Sequence, residues 1–120
     1  MNKGRKISGG KYHANRKKKF YEKRSQERVV NLKETKRKSL RVKGGNIKTA
    51  MLSSNEVNIV VNNKVKKATI KNVLETPQNT FLARQNRLMK GAIIMTSEGK
   101  AKITNRPSQE GHINAVLVKE

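Results

Sequence analysis

Val57 to Glu75, VNIVVNNKVKKATIKNVLE, carries the pattern from which the fold follows. Val57, Ile59 and Val61 recur at every second position, the period of a strand with one buried face. Asn62-Asn63-Lys64 reads as a tight turn, and Val65 to Glu75 as the returning strand. That strand ends at Thr76-Pro77-Gln78-Asn79, because Pro77 has no N–H to give to a ladder.

Short strands separated by turn signals extend on both sides. Upstream, Leu40 and Val42 alternate with Arg41 and Lys43. Gly44-Gly45-Asn46 then supplies residues able to adopt positive φ, and Ile47 to Leu52 follows as a strand. Downstream, Phe81 to Leu88 (FLARQNRL) suits either a short helix or a structured loop. Ala92 to Met95 is a compact apolar strand, Glu98-Gly99 a turn, and Ala101 and Ile103 alternate with Lys100, Lys102 and Thr104. Arg106 to Gly111 reads as a loop and Ile113 to Val118 as the last strand. The expected fold is mainly β, a small antiparallel six-stranded barrel over residues 38–120, in which closure removes exposed edges.

Ahead of the barrel the texture changes. Residues 1–48 hold 18 basic and 3 acidic residues, a net +15, but only 12 of the chain's 40 apolar residues. Such a segment cannot bury enough apolar surface to offset its chain entropy. Residues 1–37 are therefore expected to be a long basic N-terminal extension, irregular and partly helical, ordered by a partner. Asn15 to Val30 has helix-forming composition and a Lys18/Glu22 pair at i,i+4 spacing. Its Phe20, Tyr21, Val29 and Val30 make no single face, so a helix there needs a partner to screen Arg16, Lys17, Lys18 and Lys19.

The whole chain of 120 residues has 29 Lys+Arg against 8 acidic residues, all Glu, for a formal net charge of +21. A compact domain with that charge repels itself, and its natural partner is a polyanion. Length suits one ordinary domain. Without an apolar run near ~18 residues or an apolar stretch after the basic N-terminus, the expectation is a soluble, unsecreted, intracellular protein. Cysteine is absent, which excludes disulfides and thiolate metal sites.

Catalysis finds little support. There is no Asp, the glutamates are scattered, and no nucleophile elbow or complete phosphate-binding loop is present. His13 and His112 lie far apart with no carboxylate at ligand spacing, so neither a metal nor any other cofactor is expected. His13, among cations, suits stacking or phosphate bonding.

The candidate site is therefore a nucleic-acid interface without catalytic residues. In the extension, Lys3, Arg5, Lys6, Lys11, Arg16, Lys17, Lys18, Lys19, Lys23, Arg24, Arg28, Lys36 and Arg37 are spaced to neutralise phosphates brought close together by folded RNA. Lys38, Arg41, Lys43 and Lys48 continue the run into the first two strands. Tyr12 stands among them as a stacking group, as do Phe20 and Tyr21. Gly9-Gly10 and Gly44-Gly45, the latter followed by Asn46, sit beside cations and let backbone N–H groups approach phosphate; an ordinary turn is the alternative, and both can hold at one place. Arg84, Arg87, Lys90 and Arg106 extend the basic surface over the barrel. A solvated basic tail would need far fewer than these forty-odd residues, and no amphipathic face favours a membrane. A chromosomal or architectural DNA-binding protein is the alternative class.

At these residues a family resemblance emerges. Arg5-Lys6-Ile7-Ser8-Gly9-Gly10, then Arg16 to Lys19 and Tyr21-Glu22, resembles the N-terminal signature of the archaeal/eukaryotic small-subunit ribosomal protein family S-eight-e, which is distinct from bacterial S-eight. Arg41 to Asn46 (RVKGGN), Lys90 to Ile94 (KGAII), Gly99-Lys100-Ala101 and Thr104 to Leu117 (TNRPSQEGHINAVL) are also similar to that family, in order along nearly the whole chain. The short length resembles the archaeal form. Ala83 to Arg87 departs from a more basic run, and Ser108 and Glu110 from Gly and Asp. The resemblance implies a basic extension within small-subunit ribosomal RNA and a small β-barrel on the body of the subunit. It further implies neighbouring ribosomal proteins as partners, a monomer within the cytoplasmic ribosome, and neither enzymatic activity nor cofactor. The RNA contacts it implies centre on Arg5, Lys6, Gly9, Gly10, Lys11, Arg16 to Lys19, Arg41, Gly44, Gly45 and Asn46.

Overall fold

Seven strands, one short helix and two 3-10 turns make up the chain in a computed structural model that describes residues 4–13, 15–24 and 26–118. Strands β1 (Lys36–Arg41) and β2 (Ile47–Ser53) pair as an antiparallel hairpin. Strands β3 (Glu56–Val61), β4 (Lys64–Glu75), β5 (Ile93–Thr96), β6 (Gly99–Ile103) and β7 (Asn114–Leu117) form a closed barrel in chain order. Helix α1 (Thr80–Arg84) lies between β4 and β5, with the Asn79 side chain accepting from the Phe81 N–H at 3.0 Å as its N-cap.

Two features differ from expectation. The barrel has five strands and not six, since the first hairpin stays outside it. Nor is the barrel wholly antiparallel: β3 and β7 pair in parallel, with Ile59 opposite Ala115. Parity explains this. When each of five successive strands reverses direction, the first and the fifth point the same way, so the pair that closes the ring must be parallel.

The turn between β3 and β4 places Asn62 at φ 49° and Asn63 at φ 59°. Two left-handed residues give the two-residue hairpin turn whose twist matches its strands. Along β4 the inward positions run Ala68, Ile70, then Val73, one residue out of phase. A bulge at Ile70/Asn72 absorbs the extra residue, and the Asn72 side chain accepts from the Val73 N–H at 2.9 Å.

A narrow barrel needs small residues inside, and the register supplies them beside large ones. Val57 faces Ala68, Ile59 faces Ala115, Ile94 faces Ala101, and Ile103 faces Ala115, all buried. Below this core the hairpin packs at its base, where consecutive residues Ala50 and Met51 are both buried. The Met51 N–H is shared between the carbonyls of Pro107 (3.0 Å) and Glu110 (3.2 Å), which fastens β2 to the loop before β7.

Residues 30–32 enter the same layer. Val30 is 3% exposed, and its carbonyl accepts from the Leu88 N–H at 2.8 Å. Asn31 takes the Leu52 carbonyl on one side and gives its own carbonyl to the Ser54 N–H, while Leu32 bonds to Asn86. This short segment thus stitches β2 to the turn after α1.

Candidate nucleic-acid interface

Among the described residues ahead of Val30, regular structure amounts to one bridge and one turn. Arg5 and Lys11 form an antiparallel bridge around a loop closed by Lys6 N–H to Gly10 O and Gly9 N–H to Lys6 O, each 2.9 Å. Gly9 turns the chain at φ 79°, and the Arg5 guanidinium donates to its carbonyl at 2.9 Å. Beyond it the helical composition of residues 15–30 yields only a 3-10 turn over Phe20–Glu22. No apolar face exists there to bury, so nothing in the chain itself holds a longer helix.

The ion pair in this segment is not the one that spacing suggested. Glu22 accepts from Arg16 at 2.8 Å, not from Lys18, and also from the Lys19 N–H at 2.9 Å. Those two bonds hold its carboxyl below the usual carboxylate range, Arg16 foremost.

What the segment presents outward is cationic and aromatic together. Phe20 is 91% and Tyr21 76% exposed, with the Lys19 ammonium 6.0 Å from the Tyr21 ring centroid. The Lys6 ammonium stands 5.8 Å from the half-exposed Tyr12 ring. Lys11, His13, Lys17, Lys18, Lys23 and Arg24 are all exposed, and Arg28 is half-buried at the approach to Val30. Lys3 lies outside the described residues.

The hairpin carries the second group. Its tip, Lys43–Gly45, is a 3-10 turn with Gly44 at φ 75° and Gly45 at φ 76°, closed by Val42 N–H to Asn46 O at 2.8 Å. A side chain at Gly45 would meet nothing within 4 Å, so its backbone stands open to a phosphate. Lys36, Arg37, Lys38 and Arg41 are exposed along the strand that leads to it, and Lys43 is exposed at the tip. The Lys48 ammonium bonds to the Gln109 amide oxygen. Ile47, 73% exposed, stands on the same face as Arg41.

Helix α1 resolves the ambiguity of residues 81–88: a single helical turn, then a sharp reversal at Asn86, φ 51°. Arg84 stacks its guanidinium 5.7 Å from the Phe81 ring on the outer surface. Arg87, Lys90 and Arg106 are brought together with Arg28 along one cleft of about 320 Å³ beside the barrel. Nothing in the sequence placed Arg28 there, because the Val30 anchor that delivers it is a tertiary contact.

His112 acquires a carboxylate that its own spacing did not suggest: its Nε2 lies 3.4 Å from Glu110, which also accepts from the Asn105 amide at 2.8 Å. Among the described residues no three His, Cys, Asp or Glu side chains cluster to hold a metal ion.

The family described as Ribosomal protein S8e matches residues 1–118. Three relatives named small ribosomal subunit protein eS8 are similar over nearly their whole length. That of Methanocorpusculum labreanum is 42% identical over 116 residues, 95% of this chain and 93% of the relative. That of Sulfolobus acidocaldarius is 42% identical over 123 residues, covering 99% and 95%. That of Sulfurisphaera tokodaii is 45% identical over 120 residues, covering 97% and 93%.

Proposed function

The chain belongs to the ribosomal protein S8e family, and from that premise we propose that it is a structural, non-enzymatic constituent of the small subunit of the cytoplasmic ribosome. It binds ribosomal RNA through residues 1–37, acting as an extension threaded between phosphates, while residues 38–120 fix its register through the barrel surface. Neighbouring small-subunit proteins complete its surroundings, and it acts as a monomer there.

The observation that carries this reading is the composition of what residues 5–24 expose. Cations stand beside Tyr12, Phe20 and Tyr21, and the apolar rings have no core to enter. Rings that stack on unpaired bases and cations that neutralise phosphate are the two halves of single-strand recognition. The contacts run from Arg5, Lys6, Gly9, Gly10 and Lys11 through Arg16 to Lys19 to the hairpin tip at Arg41, Gly44, Gly45 and Asn46. If roughly ten cations reach phosphates, log K falls with log salt at a slope of about −7 to −9.

Co-sedimentation with small subunits through a salt series tests the proposal. The informative truncation removes residues 1–26, because one that reached residue 30 would also take Val30 out of the core. Full-length protein should stay with the subunit at moderate salt and the truncated chain should leave it. Retention of the truncated chain, or a preference for competitor duplex DNA at matched salt, would sink the reading.

A further inference from the structure

Four cations from three separate segments of the chain meet at the cleft beside the barrel. Arg28 arrives just before the Val30 anchor, Arg87 and Lys90 follow α1, and Arg106 opens the loop before β7. Among the described residues, none of these four side chains has a hydrogen bond or ion pair. Like charges held near one another without partners raise the energy of the free protein and lower it again when an anion arrives. Glu27 is the one carboxylate on the lining.

The cleft is not only charged. Val29 and Met89 line it while partly exposed to solvent, and Leu88 and Pro107 line it as buried residues. Its lining residues are tied to one another: the Leu88 N–H donates to the Val30 carbonyl at 2.8 Å, and the Gln78 amide donates to the Lys90 carbonyl at 2.6 Å. At about 320 Å³ it falls at the lower end of the roughly 300–1,000 Å³ typical of small-ligand sites. That suits one flat group with a charged attachment, not a helix or a duplex.

We infer that the cleft receives a single unstacked nucleotide of an RNA strand. Its base lies against Val29 and Met89, and its flanking phosphates meet Arg28, Arg87, Lys90 and Arg106. The inference rests on the RNA-binding reading above and narrows it to a nucleotide lifted out of the helical stack. Three of the four cations are arginines, whose planar groups stack on bases as well as fork onto phosphate. Glu27 accepts a hydrogen bond from a base amino or imino group, a role it has no means to play for phosphate. An acidic peptide would satisfy the cations but meet Glu27 with like charge and leave the apolar wall uncovered.

Ultraviolet crosslinking of the full chain assembled in small ribosomal subunits, with both partners identified by mass spectrometry, tests this. The expected result is an adduct between residues 87–90 or 106–107 and one nucleotide that is unpaired in the RNA. In the Arg87→Gln/Arg106→Gln variant that adduct falls at least tenfold, while adducts at Tyr12 or Tyr21 persist and the urea midpoint is unchanged. Lys90→Gln, at an exposed side chain, serves as a second variant and lowers the adduct several-fold. If the cleft crosslinks to a protein or to a base-paired nucleotide, or gives no adduct while the N-terminal rings do, the cleft assignment is overturned and the RNA-binding reading stands. Absence of RNA adducts from the whole chain overturns that reading too.

Discussion

Gly111 lies against Thr49 so closely that a Cβ built on it would sit 2.7 Å from Thr49 Cγ2 and 3.1 Å from its Cβ. The contact joins the loop before β7 to β2, at the seam where Met51 bonds to Pro107 and Glu110. Any side chain at residue 111 would force Thr49 or the loop to shift where the hairpin docks on the barrel. Gly111→Ala should destabilise the protein by about 1–3 kcal/mol through overpacking. Urea denaturation measures this, and an unchanged midpoint would show that the seam yields freely.

Ile94 and Ala101 face each other inside the barrel with no solvent exposure. Ile94→Ala should cost about 2–5 kcal/mol, because a ring this narrow has little freedom to collapse onto the space left. Val60→Ala, at an exposed position on β3, two strands away, should stay within about 0.5 kcal/mol. Equal losses at the two sites would contradict the inward and outward assignments.

Glu22 should titrate below its ordinary value of 4.5, since Arg16 and the Lys19 N–H both favour its charged form. A lowered folded pKa means that whatever order the turn gains is present above that ordinary value. It is then lost as pH falls through the lower folded one. Carboxyl NMR shifts report the midpoint. Arg16→Gln should return it towards the ordinary value, whereas Lys18→Gln should leave it where it is. The reverse outcome would restore the i,i+4 pairing.

Charge and stacking in the N-terminal segment are separable by salt. Replacing Lys17, Lys18 and Lys19 together with Gln should flatten the slope of log K against log salt by about 2–3, from three lost phosphate contacts. Tyr21→Ala should weaken RNA binding by about 1–3 kcal/mol and leave the slope as it is. A Tyr21 variant that binds as tightly as the parent would mean that the ring, 76% exposed in the free protein, meets no base.

Alternation and turn chemistry made most of the barrel legible from sequence. Val57, Ile59, Asn62 and Asn63 act within a few residues of one another, and the period of a pleated strand needs no distant partner to show itself. The excess of cations over apolar residues before Val30 was legible in the same way, since composition alone bounds what a segment can bury. Strand count, the parallel closure between β3 and β7, and the meeting of Arg28 with Arg106 were not. Each depends on which surfaces far apart in the chain come together. Those choices are made by packing around Val30, Met51 and Gly111, where no local period marks the contact.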